Sequence, residues 1–518
     1  MKKIYIIISL IAAFLMQSCS LDEPTYGKTT TENFYKKQSD IEYALTGAYL
    51  QFRLKWKEYA LTHHFVGDIS TDDALKGASN DGDRRELYEI STFTISTGNG
   101  DVNMRWYILY QIVNRCNDVI YYAPQAAGDK QILARYANEA KALRAFAYYN
   151  LVTTFGEVPL LSTPMTPNEI LGVTRSPVED VYQLIEQDLK DASALPAKGE
   201  YSSDDAYRVT RGFAKVMLAK VYMFRNDFVS AEKILEEVVE KDKDYDLLPD
   251  YGMNWRREYE NSIESVFEIP YKMYSNDKIT ELGTNVPHYF TSRRVGGYQG
   301  YGFKLPTQDL MDAYEPGDPR ITYVFTRTGD RYVGDDADQD NSESTTGYHD
   351  YKMTVPRIDK EGYDAWMIPY NIRIIRYSDV LLLYAEALNE NGNSGKALLY
   401  LNKVRQRARN TNPIDPRRSK QAYIPPTDAN TLSDITVTNK DQLREKIWHE
   451  RRLELALEGW RRDDLMRQKR FGTVMRAYAT KYNSEKGKHF DDNRDYLFPI
   501  PQGERDKSHG MLTQNPGF

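Results

Sequence analysis

The most strongly charged stretch of the chain, ERRLELALEGWRRDDLMR at residues 450–467, contains the residue types that acid–base chemistry requires. Its charged residues alternate with Leu453, Leu457 and Trp460, whose spacing of three to four residues predicts an amphipathic helix. Arg–carboxylate pairs on such a helix ordinarily form structural networks. We therefore predict a structural role, not a catalytic one, for Glu450, Arg451, Arg452, Glu454, Glu458, Arg461, Arg462 and Asp463.

The zinc-binding patterns in the sequence are incomplete. His449 and Glu450 begin the helical motif of zinc proteases, but Leu453 stands where the second His is required. The pair His63-His64 has no Cys or His partner at ligand spacing. The sequence also lacks a Gly-rich phosphate loop and a Ser or Cys nucleophile motif. We predict no catalytic residue, no metal and no cofactor.

One acidic loop imitates the start of a calcium site. Asp336, Asp338 and Asp340 have the spacing of the first three ligands of a calcium loop. However, Asn341 replaces the Gly that the turn needs, and Gly347 stands where a bidentate Glu belongs. We interpret this segment as a solvated acidic loop.

Two stretches of the chain share a pattern that predicts paired helices. In residues 376–408, apolar residues recur at helical spacing on both sides of a turn at Gly392, and Ser394 can cap the second helix. Residues 211–240 repeat the pattern around a turn at Asn226-Asp227. The matching positions are Leu218 and Tyr384, Ala219 and Ala385, Tyr222 and Leu388, Ala231 and Ala397, Leu235 and Leu401, and Val238 and Val404. This pattern resembles the tetratricopeptide repeat, so we predict a mainly α scaffold of helix pairs.

Composition divides the chain into three regions. Residues 36–245 read as a helical region, except for residues 67–103, which lose periodicity and are predicted to be a long polar loop. Residues 246–371 are rich in Gly, Pro, Tyr and Asp and are predicted to be an irregular, loop-rich lobe. A short strand is expected at residues 265–271, SVFEIPY. Residues 372–518 return to helices and end in an extended tail.

The N-terminus carries the pattern of a processing signal. Two lysines precede an apolar run at residues 4–16, which is too short to span a bilayer, and a small residue precedes Cys19. We predict a lipoprotein signal peptide at residues 1–18, acylation of Cys19, and a lipidated tether at residues 19–35. The alternative is an ordinary secretory signal with an incidental Cys.

Charge and cysteine content narrow the possible partners. The net charge of −7 gives no electrostatic support to a nucleic-acid partner. Cys19 and Cys116 are the two cysteines of the chain, so acylation of Cys19 would exclude a disulfide within it.

Several segments together resemble the SusD/RagB family of outer-membrane lipoproteins. The resemblance covers nearly the whole chain, and its strength lies in the order and spacing of the segments rather than in any single one. They are the Cys19 signal followed by LDEPTYG, EAKALRAFAYYNLV (139–152), RGFAKVMLAKVYMFRNDFVSAEKIL (211–235), ESVFEI (264–269), IIRYSDVLLLYAEALNENG (374–392), LNKVRQRA (401–408), ERRLELALEGWRRDDLMR (450–467) and FPIP…TQNPGF.

The resemblance implies a binding function without catalysis. Members of this family capture a nutrient, usually an oligosaccharide, and cap a SusC-like TonB-dependent transporter that imports it. Their fold has tetratricopeptide-like helix pairs on one side and an irregular binding lobe on the other, and the lobe begins the family's C-terminal region, here residues 260–518. We therefore expect a lipid anchor in the outer membrane, facing the exterior, and a glycan ligand.

The ligand-contacting candidates are aromatic or polar residues in irregular segments, where packing alone does not explain them. Aromatic faces stack on the C–H groups of sugars, and Asp and Arg bond to hydroxyls. The alternative for each is a loop residue that anchors the lobe. The candidates are Asp81, Asp83, Arg84 and Tyr88 in the first polar loop, and Arg293, Tyr298, Tyr301, Phe303, Trp366 and Tyr370 in the lobe.

Two other functions remain open at this stage. The same architecture could take up peptides or protein fragments, or the helix pairs could act as an assembly scaffold without a small ligand. A glycosidase would need two carboxylates at a fixed separation, and no local signature in the sequence indicates such a pair.

Overall fold

The structure is a computed structural model that describes residues 34–54, 57–271, 283–293, 300–334, 337–356, 368–428 and 430–518. Helices dominate these residues and the strands are short, which confirms the predicted mainly α fold. The helices are α1 (Gln38–Leu50), α2 (Tyr59–His64), α3 (Arg85–Thr92), α4 (Gly100–Tyr122), α5 (Lys130–Phe155), α6 (Pro167–Leu171), α7 (Val178–Ala192), α8 (Arg211–Phe224), α9 (Phe228–Glu236), α10 (Val286–Phe290), α11 (Gln308–Ala313), α12 (Tyr377–Glu390), α13 (Ser394–Arg409), α14 (Lys440–Glu454), α15 (Arg461–Arg467), α16 (Phe471–Tyr482) and α17 (Gln502–Lys507).

Four two-stranded antiparallel sheets connect the irregular segments. The pairs are β1 with β2, β3 with β5, β4 with β8, and β6 with β7. The strands are β1 (Arg53–Leu54), β2 (Lys57–Glu58), β3 (Ala74–Gly77), β4 (Ser265–Ile269), β5 (Phe303–Pro306), β6 (Phe325–Arg327), β7 (Tyr348–Asp350) and β8 (Ile372–Arg376). None of the described helices is both long enough and apolar enough to cross a membrane.

Helix α5 forms the centre of the N-terminal half. It contacts α1, α4 and α7, and almost every residue from Glu139 to Phe155 is buried. Small residues such as Ala140 and Ala147 let the neighbouring helices approach closely. The buried Arg144 donates two hydrogen bonds of 2.8 Å to Asp188 on α7, so its charge is paired within the core.

The two predicted helix pairs are α8 with α9 and α12 with α13. They lie far apart in the sequence but pack together, because α12 contacts both α8 and α9. Several polar contacts join the pairs; among them, Lys220 lies 2.7 Å from Asp379, and the Tyr384 hydroxyl donates to Glu240 at 2.6 Å. The cap of α13 is Asn393, which accepts from the Lys396 N–H, and not Ser394 as the sequence suggested.

The prediction of a long loop at residues 67–103 is wrong. This stretch contains strand β3, helix α3 and the first turn of α4. A π-helical turn at Phe65–Ile69 overlaps its beginning. Short elements of this kind show little periodicity, although Leu87 and Ile90 of α3 are both buried at three-residue spacing. Asn99 caps α4 by accepting from the N–H groups of Asp101 and Val102.

The charged segment 450–467 is buried, as its predicted structural role requires. It folds into the end of α14, a turn at residues 455–460 and α15. Glu454 and Arg462 are both fully buried. Burying a charged group without a partner costs a large amount of free energy, so we expect each of these charges to be paired or hydrogen-bonded.

Glu454 is the centre of this buried ion network. Its carboxylate accepts from Arg320 at 3.0 Å, from Arg376 at 3.1 Å, and from Arg407. Burial alone would raise the pKa of Glu454, but the three guanidinium groups outweigh burial and lower it to about 2. Because the three arginines belong to separate segments, this one carboxylate joins a 3₁₀ turn, the end of β8 and helix α13.

Glu454→Gln should lower the free energy of unfolding by about 3 kcal/mol, because three buried cations would lose their shared counter-ion. Urea unfolding at pH 7 measures this. The control is Glu445→Gln on the same helix, whose exposed carboxylate lies 3.3 Å from Arg470 and should contribute less than about 1 kcal/mol.

The same substitution should alter the acid stability of the protein. The pKa of Glu454 in the folded chain lies below its ordinary value of 4.5, so its contribution is present above that pH and is lost as the pH falls toward 2. The stability gap between the two proteins should therefore narrow on acidification. A Glu454→Gln protein that keeps full stability but loses ligand binding would contradict the structural assignment.

Candidate ligand-binding site

The pairing of β3 with β5 brings two of the predicted site segments together. Gly77 lies opposite Phe303, and the Ala78 N–H donates to the Gly302 carbonyl at 2.8 Å. A Cβ atom at Gly77 would lie only 2.2 Å from that carbonyl oxygen, so this approach requires glycine. The loop at residues 78–84 therefore lies beside the start of β5.

Three aromatic rings form a cluster at this junction, which we call the aromatic patch: Tyr289, Tyr301 and Phe303. The Tyr289 ring centroid lies 5.4 Å from that of Tyr301 and 5.9 Å from that of Phe303. Phe303 is buried, whereas Tyr301 is 36% exposed. Phe303 thus supports the patch from below, and Tyr301 offers a ring to the solvent.

Charged side chains border the aromatic patch. Arg293 lies 3.5 Å from Asp83 on one side and 3.5 Å from Glu343 on the other. The Ser79 hydroxyl donates to Asp83 at 2.8 Å. The slight burial of Asp83 would raise its pKa, but the bonds from Ser79 and the nearby cations outweigh this and lower it. This rim offers both donors and acceptors of hydrogen bonds.

Arg84 connects the patch to the helical core. Its guanidinium group makes two hydrogen bonds to Asp101 of α4, at 3.1 and 2.5 Å. The same group lies over the rings of Phe65 and Tyr289, at 4.7 and 5.1 Å from their centroids. Arg84 has a φ of 55°, an uncommon conformation for a residue other than glycine, at the start of α3. Its side chain is thus engaged in holding the patch.

A buried lysine ties the patch to the charged segment. Lys304 follows Phe303 in β5 and is fully buried. Its amine lies 2.8 Å from Asp350 and donates to the Leu457 carbonyl at 3.0 Å. Leu457 belongs to the turn between α14 and α15, so the strand that carries the patch is held by the segment that contains Glu454.

The structure brings five of the predicted residues into one place: Asp83, Arg84, Arg293 and Tyr301, with the buried Phe303 beneath them. Asp81 is exposed in the adjoining loop. Tyr88 is half-buried on α3, where the Arg85 guanidinium lies 4.9 Å from its ring centroid.

Three other predicted residues are not part of this group. Tyr370 is buried in a separate small cluster with Val355 and Ile368. Tyr298 and Trp366 lie outside the described residues.

Sequence reasoning missed Tyr289 and the adjacent His288, whose ring centroid lies 4.9 Å from that of Tyr301. Both belong to the short helix α10 in a segment without helical periodicity. The criterion that selected Tyr301, an aromatic residue in an irregular segment, applies equally to Tyr289 and could have found it.

A metal site requires several metal-ligating side chains to lie close together. Within the described ranges, no three His, Cys, Asp or Glu side chains converge in a group that could hold a metal ion. His64 is fully buried. Burial is the main cause that lowers the pKa of His64 well below its ordinary value, and the positive charge of the nearby Lys304 lowers it further. The arrangement at the patch is suited to recognition of a ligand through ring faces and hydrogen bonds.

Two family models match the chain over most of its length. The model described as "SusD family" matches residues 263–518, and the model described as "Starch-binding associating with outer membrane" matches residues 21–223. A SusD-like protein of Formosa agariphila is 27% identical over the full length of both chains, and one of Bacteroides ovatus is 25% identical over 77% of this chain and 74% of its own.

Solved structures of the same architecture lead to the same assignment. A protein described as a laminarin-binding SusD-like protein matches 93% of this chain and all of its own, with 25% identity and a TM-score of 0.77. Surface glycan-binding protein A from Bacteroides thetaiotaomicron, solved with laminarihexaose, has the same fold, with a TM-score of 0.76 and 24% identity over 93% of this chain and all of its own.

The chain belongs to the SusD/RagB family. The resemblance inferred from the ordered segments is confirmed, and with it the tetratricopeptide-like helical architecture. Proteins of this family bind glycans and are not enzymes, so the chain is a binding protein.

Proposed function

We propose that the protein is a cell-surface lipoprotein of the outer membrane that captures an oligosaccharide and delivers it to a SusC-like TonB-dependent transporter. The observation that carries the ligand class is the aromatic patch. An exposed Tyr301 ring rests on a buried aromatic support and is bordered by Asp83 and Arg293. A sugar ring presents a C–H face to an aromatic ring and hydroxyls to its rim, which is the complement of this surface.

The polar rim favours a hydroxyl-rich ligand over an apolar one. Arg293 spans Asp83 and Glu343 at 3.5 Å on each side, which is longer than an ideal charged hydrogen bond. Hydroxyl groups can bridge such pairs, because each hydroxyl both donates and accepts. A peptide ligand would instead use an exposed strand edge or a deep side-chain pocket.

The contacts of the patch also suit repeated capture and release. Stacking on one exposed ring and a few hydrogen bonds at the rim give modest affinity, on the order of micromolar to millimolar. A transporter's partner needs such affinity, because a ligand held too tightly could not be passed on. Capture would raise the ligand's local concentration at the transporter.

Tyr301→Ala should weaken binding of the recognised oligosaccharide by about tenfold, because one stacking face is lost. Isothermal titration against a panel of laminari-, malto- and xylo-oligosaccharides, together with a peptide mixture, measures this and identifies the ligand class. Because Tyr301 is only 36% exposed and packs against Tyr289 and His288, the unfolding temperature of the variant verifies that it is folded under the conditions of the titration.

Tyr43→Ala is the matched control for that titration, because Tyr43 on α1 is 71% exposed and lies outside the patch. Its affinity for the oligosaccharide should equal that of the unchanged protein. Binding of peptides but of no glycan would refute the proposed ligand, and so would an unchanged affinity in Tyr301→Ala.

The proposed anchor rests on the signal pattern before Cys19. Cys19→Ala should release the protein from the membrane fraction of cells, because no acyl chain could then be attached. Cys116→Ala is the matched control, since this other cysteine is buried in α4 and should not affect membrane retention. Retention of the Cys19→Ala protein in membranes would exclude the lipid anchor.

A further inference from the structure

A cavity on another part of the protein shares no residue with the aromatic patch. It lies between the segment that joins α7 to α8 and strand β4, and its volume is about 300 Å³. This volume is at the lower end for small-molecule sites and suits a monosaccharide-sized ligand. Its lining includes Lys198, Tyr207, Asn261, Phe267 and Glu268.

Three hydrogen-bond donors of this cavity have no partner among the residues that the structure describes. Within the described residues, the Lys198 amine makes no ion pair and no hydrogen bond, and it lies 5.7 Å from the centroid of the Tyr245 ring. The Tyr207 hydroxyl and the Asn261 side-chain amide likewise bond to no described residue. A cation, a hydroxyl and an amide from the two walls of the cavity therefore line one open space.

The carboxylate of the cavity, Glu268, is already engaged. Glu268 accepts from the Asn261 N–H at 3.2 Å and from the Asn371 amide at 3.0 Å, and Arg373 lies 3.7 Å away. The other cation of the lining, Arg208, is bound by carboxylates: it lies 2.6 Å from Asp205 and 3.2 Å from Glu139. The unused capacity of the cavity is thus one cation together with a neutral hydroxyl and a neutral amide, each of which can donate.

The free cation is costly where it lies. Burial lowers the pKa of Lys198, and the more distant Glu268 only partly offsets this. A partly buried ammonium group without a counter-ion is disfavoured unless something else pairs with it. An anionic group in the cavity would supply that pairing.

We propose that this cavity binds a monosaccharide-sized ligand that carries a carboxylate or a sulfate, with Lys198 holding the anionic group and Tyr207 and Asn261 donating to its oxygens. Phe267 supplies an apolar wall for the ring of such a ligand. The cavity would select for charge, whereas the aromatic patch presents a ring face and a mixed rim. The two sites are independent, so this inference does not rest on the proposed function of the patch.

Titration of the full soluble chain with D-glucuronate, with D-glucose 6-sulfate and with D-glucose tests the proposal. One or both acidic sugars should bind with saturation, and D-glucose should not. The comparison of glucuronate with the sulfate identifies which anionic group the cavity prefers. Lys198→Met should weaken the binding by about tenfold or more, and Tyr207→Phe by about threefold, as expected for a charged and a neutral hydrogen bond.

Lys233→Met is the matched control, because it removes the same charge from an exposed position on α9 and should leave the affinity unchanged. Tyr301→Ala should also leave it unchanged, which separates this cavity from the aromatic patch. Circular dichroism and the unfolding temperature verify that each variant is folded. If the Lys198→Met protein does not fold, the Tyr207→Phe protein tests the site. The proposal is overturned if neither acidic sugar saturates, if glucose binds equally well, or if a folded Lys198→Met or Tyr207→Phe protein binds as the unchanged chain does.

Discussion

The shared carboxylate of Glu454 is the contact on which the rest of this structure depends. Three buried arginines from separate segments converge on it. Each arginine also bonds to a second buried carboxylate, Arg320 to Asp318 and both Arg376 and Arg407 to Glu264, but among the described residues Glu454 is the carboxylate that all three share. The helix pairs alone can bury their apolar faces, but they do not determine how an irregular lobe attaches to them. The network provides that attachment, because charge pairs in a buried site tolerate little displacement.

The same attachment reaches the ligand surface through two residues. Lys304 bonds to the turn that follows Glu454 and carries Phe303 beside it, while Arg84 links the loop at residues 78–84 to α4. Tyr301 therefore stands on a support whose members are individually buried or paired. Such a surface changes little when it binds, so little ordering opposes capture of a ligand. This explains how an irregular lobe can hold a defined surface.

Sequence periodicity predicted the helix pairs because the signal is local: each helix shows its own apolar face. It could also indicate that the segment at 450–467 forms a charge network, since charges on an apolar helix need partners. It could not name those partners, because Arg320 and Arg376 lie more than 70 residues from Glu454. The same limit hid the pairing of β3 with β5, which joins two segments that had each supplied candidates. Tyr301 and Phe303 have similar sequence contexts, and only the fold makes one exposed and the other buried.

We propose that the lobe, held by the helical frame, presents its aromatic patch to a glycan. A crystal structure of the protein with its tightest-binding oligosaccharide tests this most directly. The account predicts a sugar ring against the face of Tyr301, with hydroxyls in hydrogen-bond reach of Asp83 or Arg293 and with the Glu454 contacts unchanged. An oligosaccharide seated on the α8–α9 and α12–α13 helix pairs, with the patch empty, would contradict it.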